Sequence, residues 1–529
     1  VYNPPILFNG QTMKRYLLFT VFISGMTTLA AELTAGRLIG NVFGTSNLVW
    51  ASIIGLILIY LTLGYFLGGK WADNNPTPGA MYRILAWGAF TVALVPYVAG
   101  PVLRSAASAF EALSVGIMAG SFVAVLILFI VPITLLGAIS PFAIRLSVDD
   151  PAKAGQISGQ IYAISTLGSF IGTFLPTLIL IPTIGTTKTF LVFGVFLLFV
   201  ALAGLGKFAS KSEMLKLIWM PIVLAVIAIL SEGQALKNNT GQVYEAESAY
   251  NYIQVQEVNG YTLLRLNDGQ GVHSIYHPDT LFYNGPWEQF SVGPYFYADR
   301  SPDDVQSMAI VGLAAGTAAR QATAIYGEDI LIDGFELDGK IVEVGQKYFG
   351  LNLPNLTIHL GDGRLNLDRS QNKYDIIAID AYRPPYIPPH MTTLEFFEIC
   401  ASHLTDDGVL TLNVGSVPGD RRLIDGLATT MAQIFPSVHV MDIPGTLNTM
   451  LFATKQPTTV ENFAANMMRL SQDTSLNPLL VTTMATTFAS MKPGYETTTV
   501  FTDDLAPIEW IVNDMVVSFV IQGGLEFLQ

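Results

Sequence analysis

Charge is scarce in this 529-residue chain, and cysteine is all but absent. Only 13% of its residues are charged, where soluble domains carry roughly 25%. The single thiol, Cys400, excludes an internal disulfide and any cysteine-built metal site. Basic clusters are missing too: 27 Lys and Arg face 41 Asp and Glu, a net charge of −14. Nucleic-acid binding needs grouped cations to meet phosphates, so that class of partner is excluded. The charge deficit is also uneven. Residues 1–230 hold 12 basic and 6 acidic side chains, and the remainder holds 15 and 35. The chain is therefore two physical objects: an apolar, mildly basic half and an acidic, water-facing half. An acidic surface attracts cations, although solubility alone accounts for this density.

What the first half has is long apolar runs. A spanning helix needs about 20 mainly apolar residues. Seven segments qualify, near 16–36, 47–69, 82–103, 113–136, 160–182, 187–206 and 216–231. The lipid bilayer is thus an expected partner, with small residues such as Gly64, Gly68, Gly168 and Gly172 letting helices approach closely. No small-residue cleavage site follows the first run, so it is expected to be a retained span. Glu32 and Arg37 lie in or at the end of that span, where charges are costly unless paired; a structural ion pair within the bundle is expected. Lys14, Arg15, Lys70, Arg83, Arg145, Lys153, Lys207, Lys211 and Lys216 all fall on one side, and only Arg37, Arg104 and Lys188 near the other. The positive-inside rule puts the nine in the cytoplasm. Seven crossings of a bacterial-type plasma membrane would then leave residue 232 onward extracytoplasmic, the side this charge bias favours; an eighth crossing, cut from 113–146, would reverse that side and leave later basic loops outside.

The second half begins with short alternating runs over 243–300, punctuated by Asn259-Gly260, a strong hairpin signal. From about 305 strands alternate with helices, which implies a parallel sheet. Met308–Val311, Ile330–Glu336, Leu356–Leu360, Tyr374–Asp380 and Val409–Val414 supply its strands. Their C-terminal ends face a ligand crevice in such sheets. Gly312-Leu-Ala-Ala-Gly316 follows the first strand, and glycines there admit a ligand to the backbone and helix N-terminus. Glu336 closes the second strand, where a carboxylate can accept two ribose hydroxyls. Asp362 can accept from an adenine amino group. Asp380 ends the fourth strand and faces the reacting centre. The glycine turn lacks the complete Gly-x-Gly-x-x-Gly pattern of a dinucleotide oxidoreductase, since Ala314 and Ala319 replace two glycines. Six histidines lie in this half; His273 and His277 are four apart in a β-rich region, so packing rather than metal binding is expected. His390 follows Pro388-Pro389 over the crevice.

These residues resemble a known family. Glu247-Ser-Ala-Tyr-Asn-Tyr-Ile-Gln-Val255, Leu266-Asn-Asp-Gly-Gln270, Phe335-Glu-Leu-Asp338, Gly361-Asp-Gly363 and Asp380-Ala-Tyr-Arg-Pro384 are similar to spermidine synthase. Gly159-Gln-Ile-Tyr-Ala163 with Thr166-Leu-Gly168, and Thr502-Asp-Asp-Leu-Ala-Pro-Ile-Glu509, extend the likeness to the membrane-integrated spermidine synthase-like proteins. The resemblance implies an α-helical membrane bundle over 1–235 and an antiparallel β-region over 236–304. A Rossmann-like methyltransferase domain with a helical tail would occupy 305–529. It also implies that Gly312, Gly316, Glu336, Asp362 and Gly363 hold S-adenosylmethionine or its decarboxylated form. Asp380 would act on the acceptor, and Tyr250, Gln270, Tyr382 and Tyr386 would be substrate contacts. Two departures stand out. The family's acid in the glycine turn is absent, and Arg383 occupies the position of the acid that holds and deprotonates the attacking amine. A guanidinium stays protonated, which argues against classical spermidine synthesis. Two expectations remain: an adenosyl-donor-dependent transferase of aminopropyl type with another acceptor, or a catalytically inactive membrane subunit whose soluble domain is an assembly surface in a larger complex.

Overall fold

The computed structural model describes residues 10–43, 47–112, 116–231, 240–267, 271–382 and 387–521. The protein divides into two compact units, Val1–Asn238 with Ala246–Tyr252, and Asn239–Glu245 with Ile253–Gln529.

The first unit is helical: α1 (Gly10–Phe43), α2 (Asn47–Asn74), α3 (Pro78–Ala112), α4 (Gly116–Gly137), α5 (Ile139–Ser147), α6 (Ala154–Leu175), α7 (Ile181–Phe208), α8 (Lys211–Leu215) and α9 (Trp219–Leu230). Among the described residues six stretches are long and apolar enough to cross a membrane. One of these, Pro151–Phe208, runs 58 residues, far beyond the roughly 20 that one crossing needs. It is not one rod. A π turn at Pro176–Leu180 joins α6 to α7, and Gly185 takes φ +81°, which breaks the helix just inside α7. Close helix contact rests on glycine. A Cβ on Gly168 would fall 2.0 Å from the Phe22 carbonyl oxygen, and one on Gly172 2.0 Å from that of Met26. Gly64 meets the Thr134 carbonyl in the same way, at 2.4 Å. These two seams bring α6 onto α1 and α4 onto α2. Buried hydroxyls bond back into their own helix, as Thr28 does to the Ser24 carbonyl and Thr34 to that of Ala30. An apolar surround gives them no other partner.

The expected Glu32–Arg37 ion pair does not form. Among the described residues Arg37 donates instead to the backbone carbonyls of Tyr250, at 2.8 Å, and Ser248. Beside it Asn41 donates to Glu247 at 3.0 Å, and Glu247 also accepts from the Thr186 amide at 2.5 Å. Five residues along a helix turn the two side chains to different faces. Arg37 therefore finds carbonyls where Glu32 cannot reach.

The second unit opens with an antiparallel sheet of β1 (Gln242–Glu247), β2 (Tyr252–Val258), β3 (Tyr261–Leu266) and β4 (Val272–Tyr276), in sequential order. Asn259 and Gly260 both have positive φ, making the two-residue type I′ hairpin that their pair predicts. Strand structure ends at Tyr276 rather than continuing towards 300. Pro286, Pro294 and Pro302 each open a short helical turn, because proline presets the helical φ and has no amide to leave unpaired. The first of these turns is α10 (Pro286–Gln289).

The main sheet has seven strands: β5 (Ser307–Val311), β6 (Leu331–Glu336), β7 (Leu356–Leu360), β8 (Tyr374–Ile379), β9 (Leu404–Gly415), β10 (Ser437–Asp442) and β11 (Asn448–Thr454), ordered β10-β11-β9-β8-β5-β6-β7. Strands β5 to β9 pair in parallel, and β11 runs antiparallel to both β9 and β10. The connecting helices are α11 (Thr317–Tyr326), α12 (Gly339–Tyr348), α13 (Gly363–Arg369), α14 (Leu394–His403) and α15 (Arg422–Met431), followed by α16 (Val460–Leu470), α17 (Pro478–Ser490) and α18 (Ile508–Ile521). Alternate residues of β5 feed two cores. Ala309 and Val311 join Phe396, Phe397 and Ile424, whereas Met308 and Ile310 join Ala322, Phe463 and Leu480. Burial on both faces is why the strand reads as a continuous apolar run. Strand order reverses between β5 and β8, the position at which open sheets of this kind place a ligand crevice at the C-terminal strand ends.

Replacing Gly168 by Val puts a side chain into the Phe22 carbonyl. Overpacking of this kind costs about 1–3 kcal/mol. The expected outcome is a lower thermal midpoint in detergent than for Gly69→Val, whose Cβ position meets nothing within 4 Å.

Candidate functional site

The turn after β5 is built around backbone that only glycine tolerates at two positions. Gly312 has φ +91°, and a Cβ there would lie 2.5 Å from the Asp380 carbonyl oxygen and 2.6 Å from the Ala381 nitrogen. Its freedom thus serves first to let the end of β8 press against the turn. Gly316, at φ +85°, caps α11 and has Leu351 where a Cβ would go. Between them Ala314 also sits at positive φ, +49°, a conformation costing an alanine roughly 1–2 kcal/mol. The turn's amides are engaged internally. Gly312 and Leu313 both donate to the Phe335 carbonyl, at 3.0 Å. Ala314 donates to Glu336 Oε2 at 2.8 Å, and Ala315 to the Ser274 hydroxyl at 2.9 Å. Thr317, at the start of α11, accepts from the Ile275 amide and donates to its carbonyl, both at 2.9 Å. Strand β4 therefore stitches down the turn.

Glu336 ends β6 almost fully buried, 8% exposed. Its Oε1 accepts from the Asp338 amide at 3.0 Å, and its backbone carbonyl accepts from Gly361 at 2.9 Å. Burial pushes this carboxyl up to about 7, despite the amide donors that favour its charge. Asp380 follows β8, its amide bonded to the Val311 carbonyl at 2.8 Å. It keeps some solvent exposure, yet desolvation pushes it up to about 7 as well, against the opposing pull of Asn413. Asn413 Nδ2 donates to Asp380 Oδ1 at 2.9 Å, while the buried Asn413 Oδ1 has no partner among the described residues. Tyr382 hydrogen-bonds the Gly415 backbone near Asp380, and burial raises its hydroxyl. Asp362 caps α13 by accepting from the Leu365 amide at 2.9 Å, and its Oδ2 faces His390 Nε2 at 3.1 Å. Gly363 opens α13 where a Cβ would meet Val311 Cγ1 at 2.6 Å.

The strand ends thus gather Gly312, Gly316, Glu336, Asp362, Gly363, Asp380 and Tyr382 along one rim of the sheet. Tyr250 belongs instead to the helical unit, its carbonyl taken by Arg37. Gln270, Arg383 and Tyr386 lie outside the described residues. Asn413 escaped sequence reasoning. Its signal was a lone carboxamide near the end of an otherwise apolar strand, Val409-Leu-Thr-Leu-Asn-Val414. No group of three or more His, Cys, Asp or Glu among the described residues could hold a metal.

A parallel sheet reversing at β5/β8, a glycine turn after its first strand and a buried acid ending its second define a Rossmann-like, methyltransferase-type domain. Comparison narrows the class. Residues 315–465 match the spermine/spermidine synthase domain family, so this part of the C-terminal half is similar to a spermidine synthase domain. A probable polyamine aminopropyl transferase of Bifidobacterium longum is 30% identical over 283 residues, which are 51% of this chain and 62% of that protein. The chain thus spans less than two thirds of that relative's length. The polyamine aminopropyltransferase of Vibrio vulnificus is 26% identical over 42% of this chain and 75% of its own. Among solved structures, spermidine synthase in complex with the transition-state analogue AdoDATO is 20% identical, with TM-score 0.39 over 47% of this chain and 85% of that one. Human methyltransferase-like protein 13 in complex with SAH is 24% identical, with TM-score 0.32 over 41% and 98%.

Two measurements follow from this geometry. Ala314→Gly relieves the positive-φ alanine, and after the glycine's greater unfolded-state entropy is subtracted it should stabilise the fold by roughly 0.5–1 kcal/mol in chemical denaturation. Glu336 and Asp380 hold protons when folded that ordinary carboxyls, at about 4, have already lost when unfolded. Stability should therefore fall as pH rises from about 4 to about 7 and level off above. Thermal midpoints across that range should slope less in Glu336→Gln, which has no proton to lose.

Proposed function

We propose that this is a membrane-embedded group transferase of aminopropyl type, using S-adenosylmethionine or its decarboxylated form as donor. The carrying observation is Asp380: a carboxyl raised to about 7, fixed against the glycine turn, with Asn413 beside it offering an open acceptor. In the proposed step an amine nitrogen attacks the methylene carbon next to the donor's sulfonium. The C–N bond forms, the C–S bond breaks, methylthioadenosine leaves, and the ammonium proton passes to Asp380. A base with pKa near the working pH is matched to that task. Glu336 would hold the ribose and Asp362 the base, so orientation supplies much of the rate. Arg383, three residues beyond Asp380 in sequence, favours an amine acceptor that also carries a carboxylate.

The bundle's apolar stretches support a bilayer environment. Asp73–Arg145 and Arg83–Glu213–Lys216 pair at one end of the helical unit. Arg37, Asn41 and Thr186 meet Glu247 and Ser248 at the other. The positive-inside rule assigns the first end to the cytoplasm, so residues 246–252 enter from the outside. That placement favours a second reading, a non-catalytic subunit using the domain as an assembly surface, because nucleoside donors are made in the cytoplasm. Protease digestion of intact cells tests the side.

Calorimetry with methylthioadenosine and both donors tests the site. Micromolar binding that Glu336→Gln abolishes is expected, and no binding to any of the three sinks the transferase. With an acceptor in hand, turnover should rise with pH through about 7, where Asp380 ionises, and Asp380→Asn should lower kcat at least 100-fold while still binding methylthioadenosine.

A further inference from the structure

The Thr502–Glu509 stretch, distant in sequence from the strand ends, is tied to the candidate base-recognition edge. Arg364 lies two residues after Asp362 on α13. Its Nη1 and Nη2 form a bidentate pair with Asp503 Oδ1 and Oδ2, both at 2.7 Å. Nη1 also donates to the His390 backbone carbonyl at 2.8 Å. The His390 ring, in turn, places Nε2 against Asp362 Oδ2. The first turn of α13 therefore grips His390 twice: Asp362 takes its ring and Arg364 its carbonyl. Asp503 is itself fixed from three directions. Thr393 Oγ1 donates to its Oδ1 at 2.7 Å, its amide donates to Glu395 at 2.9 Å, and the Phe501 carbonyl just before it accepts from Leu394 at 2.8 Å. Arg364 is 18% exposed at its side chain and Asp503 44%, so what holds the pair is its bidentate geometry rather than burial. The hydrogen bonds from Arg364 lower the Asp503 carboxyl below its ordinary value. The same residues line a cavity of about 500 Å³ beside His390.

We infer that Arg364 and Asp503 are positioning residues which, through His390, set the orientation of the Asp362 carboxylate, and so decide whether the site prefers a 6-amino over a 6-oxo purine nucleoside. This rests on the proposed adenosyl site. The chemistry is one of sign. A carboxylate edge accepts from the N–H of a 6-amino group but faces the lone pairs of a 6-oxo group. Discrimination is sharpest while both oxygens of Asp362 are held: the Leu365 amide keeps Oδ1 in place, and if His390 swings away Oδ2 loses its partner and the penalty against the oxo group weakens. A bidentate guanidinium is suited to this, because its planar fork fixes direction, whereas lysine offers a single point charge.

The test uses the full chain in detergent, with 5′-methylthioadenosine and 5′-methylthioinosine as probes. Wild-type protein should bind the first at least tenfold more tightly. Arg364→Lys and Asp503→Asn should each weaken methylthioadenosine about tenfold while leaving methylthioinosine within about threefold, so the preference collapses. Asp504→Asn lines the same cavity without joining the latch and should change neither. Unchanged preference in both latch variants overturns the inference alone, as does an equal loss for both nucleosides, which marks a merely structural role. Failure of wild-type protein to bind either nucleoside overturns the proposed function and this inference with it. Two independent variants guard against one that does not fold.

Discussion

Everything at the sheet's rim depends on one backbone contact. Strands β5 and β8 lie side by side, and the chain leaving β5 must turn away without a side chain, because the Asp380 carbonyl and the Ala381 amide occupy the space. Gly312 satisfies that demand at φ +91°. The consequence reaches both ways. The turn is forced over towards β6, where Ala314 finds the Glu336 carboxylate, and Asp380 is pinned beside the turn by the Val311 carbonyl. A bulkier residue at Gly312 would separate the two carboxylates that the candidate chemistry needs together.

Those two carboxylates carry the same raised affinity for protons by the same cause, desolvation, but with different neighbours. Glu336 is surrounded by backbone amides, a rigid acceptor suited to neutral hydroxyls. Asp380 has one side-chain carboxamide, that of Asn413, and keeps contact with solvent. In the proposed reaction the first would hold a ligand and the second would move a proton. Asp362 is a third case, half-exposed and steadied by a helix amide and an imidazole rather than by burial.

The helical unit follows a different logic. Its cohesion comes from glycines that admit a neighbour's carbonyl, and from hydroxyls that bond to their own helix. Its polar contacts collect at the ends. The 246–252 segment joins this unit through Arg37, Asn41 and Thr186, although in sequence it lies in the acidic half.

Periodicity and local turn chemistry made much of this legible. The parallel strands, the Asn259-Gly260 hairpin and the acids closing β6 and β8 follow from alternation, burial on two faces and φ preferences, all of which act within a few residues. The C-terminal β10–β11 pair and the proline-started turns over 286–304 were missed, because local patterns do not say which distant strand will accept a hydrogen bond. Arg37 shows the limit most plainly: sequence proximity suggested Glu32, and the fold supplied carbonyls more than 200 positions away. By itself the sequence determined two dissimilar halves and the acids that end the strands, since charge, hydropathy and strand period are properties of neighbours along the chain. Only the tertiary structure decided that Asn413 backs Asp380, that Asp503 reaches Arg364 and that Ser274 holds the glycine turn. Those partners are brought together by strand order and helix docking, which depend on the whole chain at once.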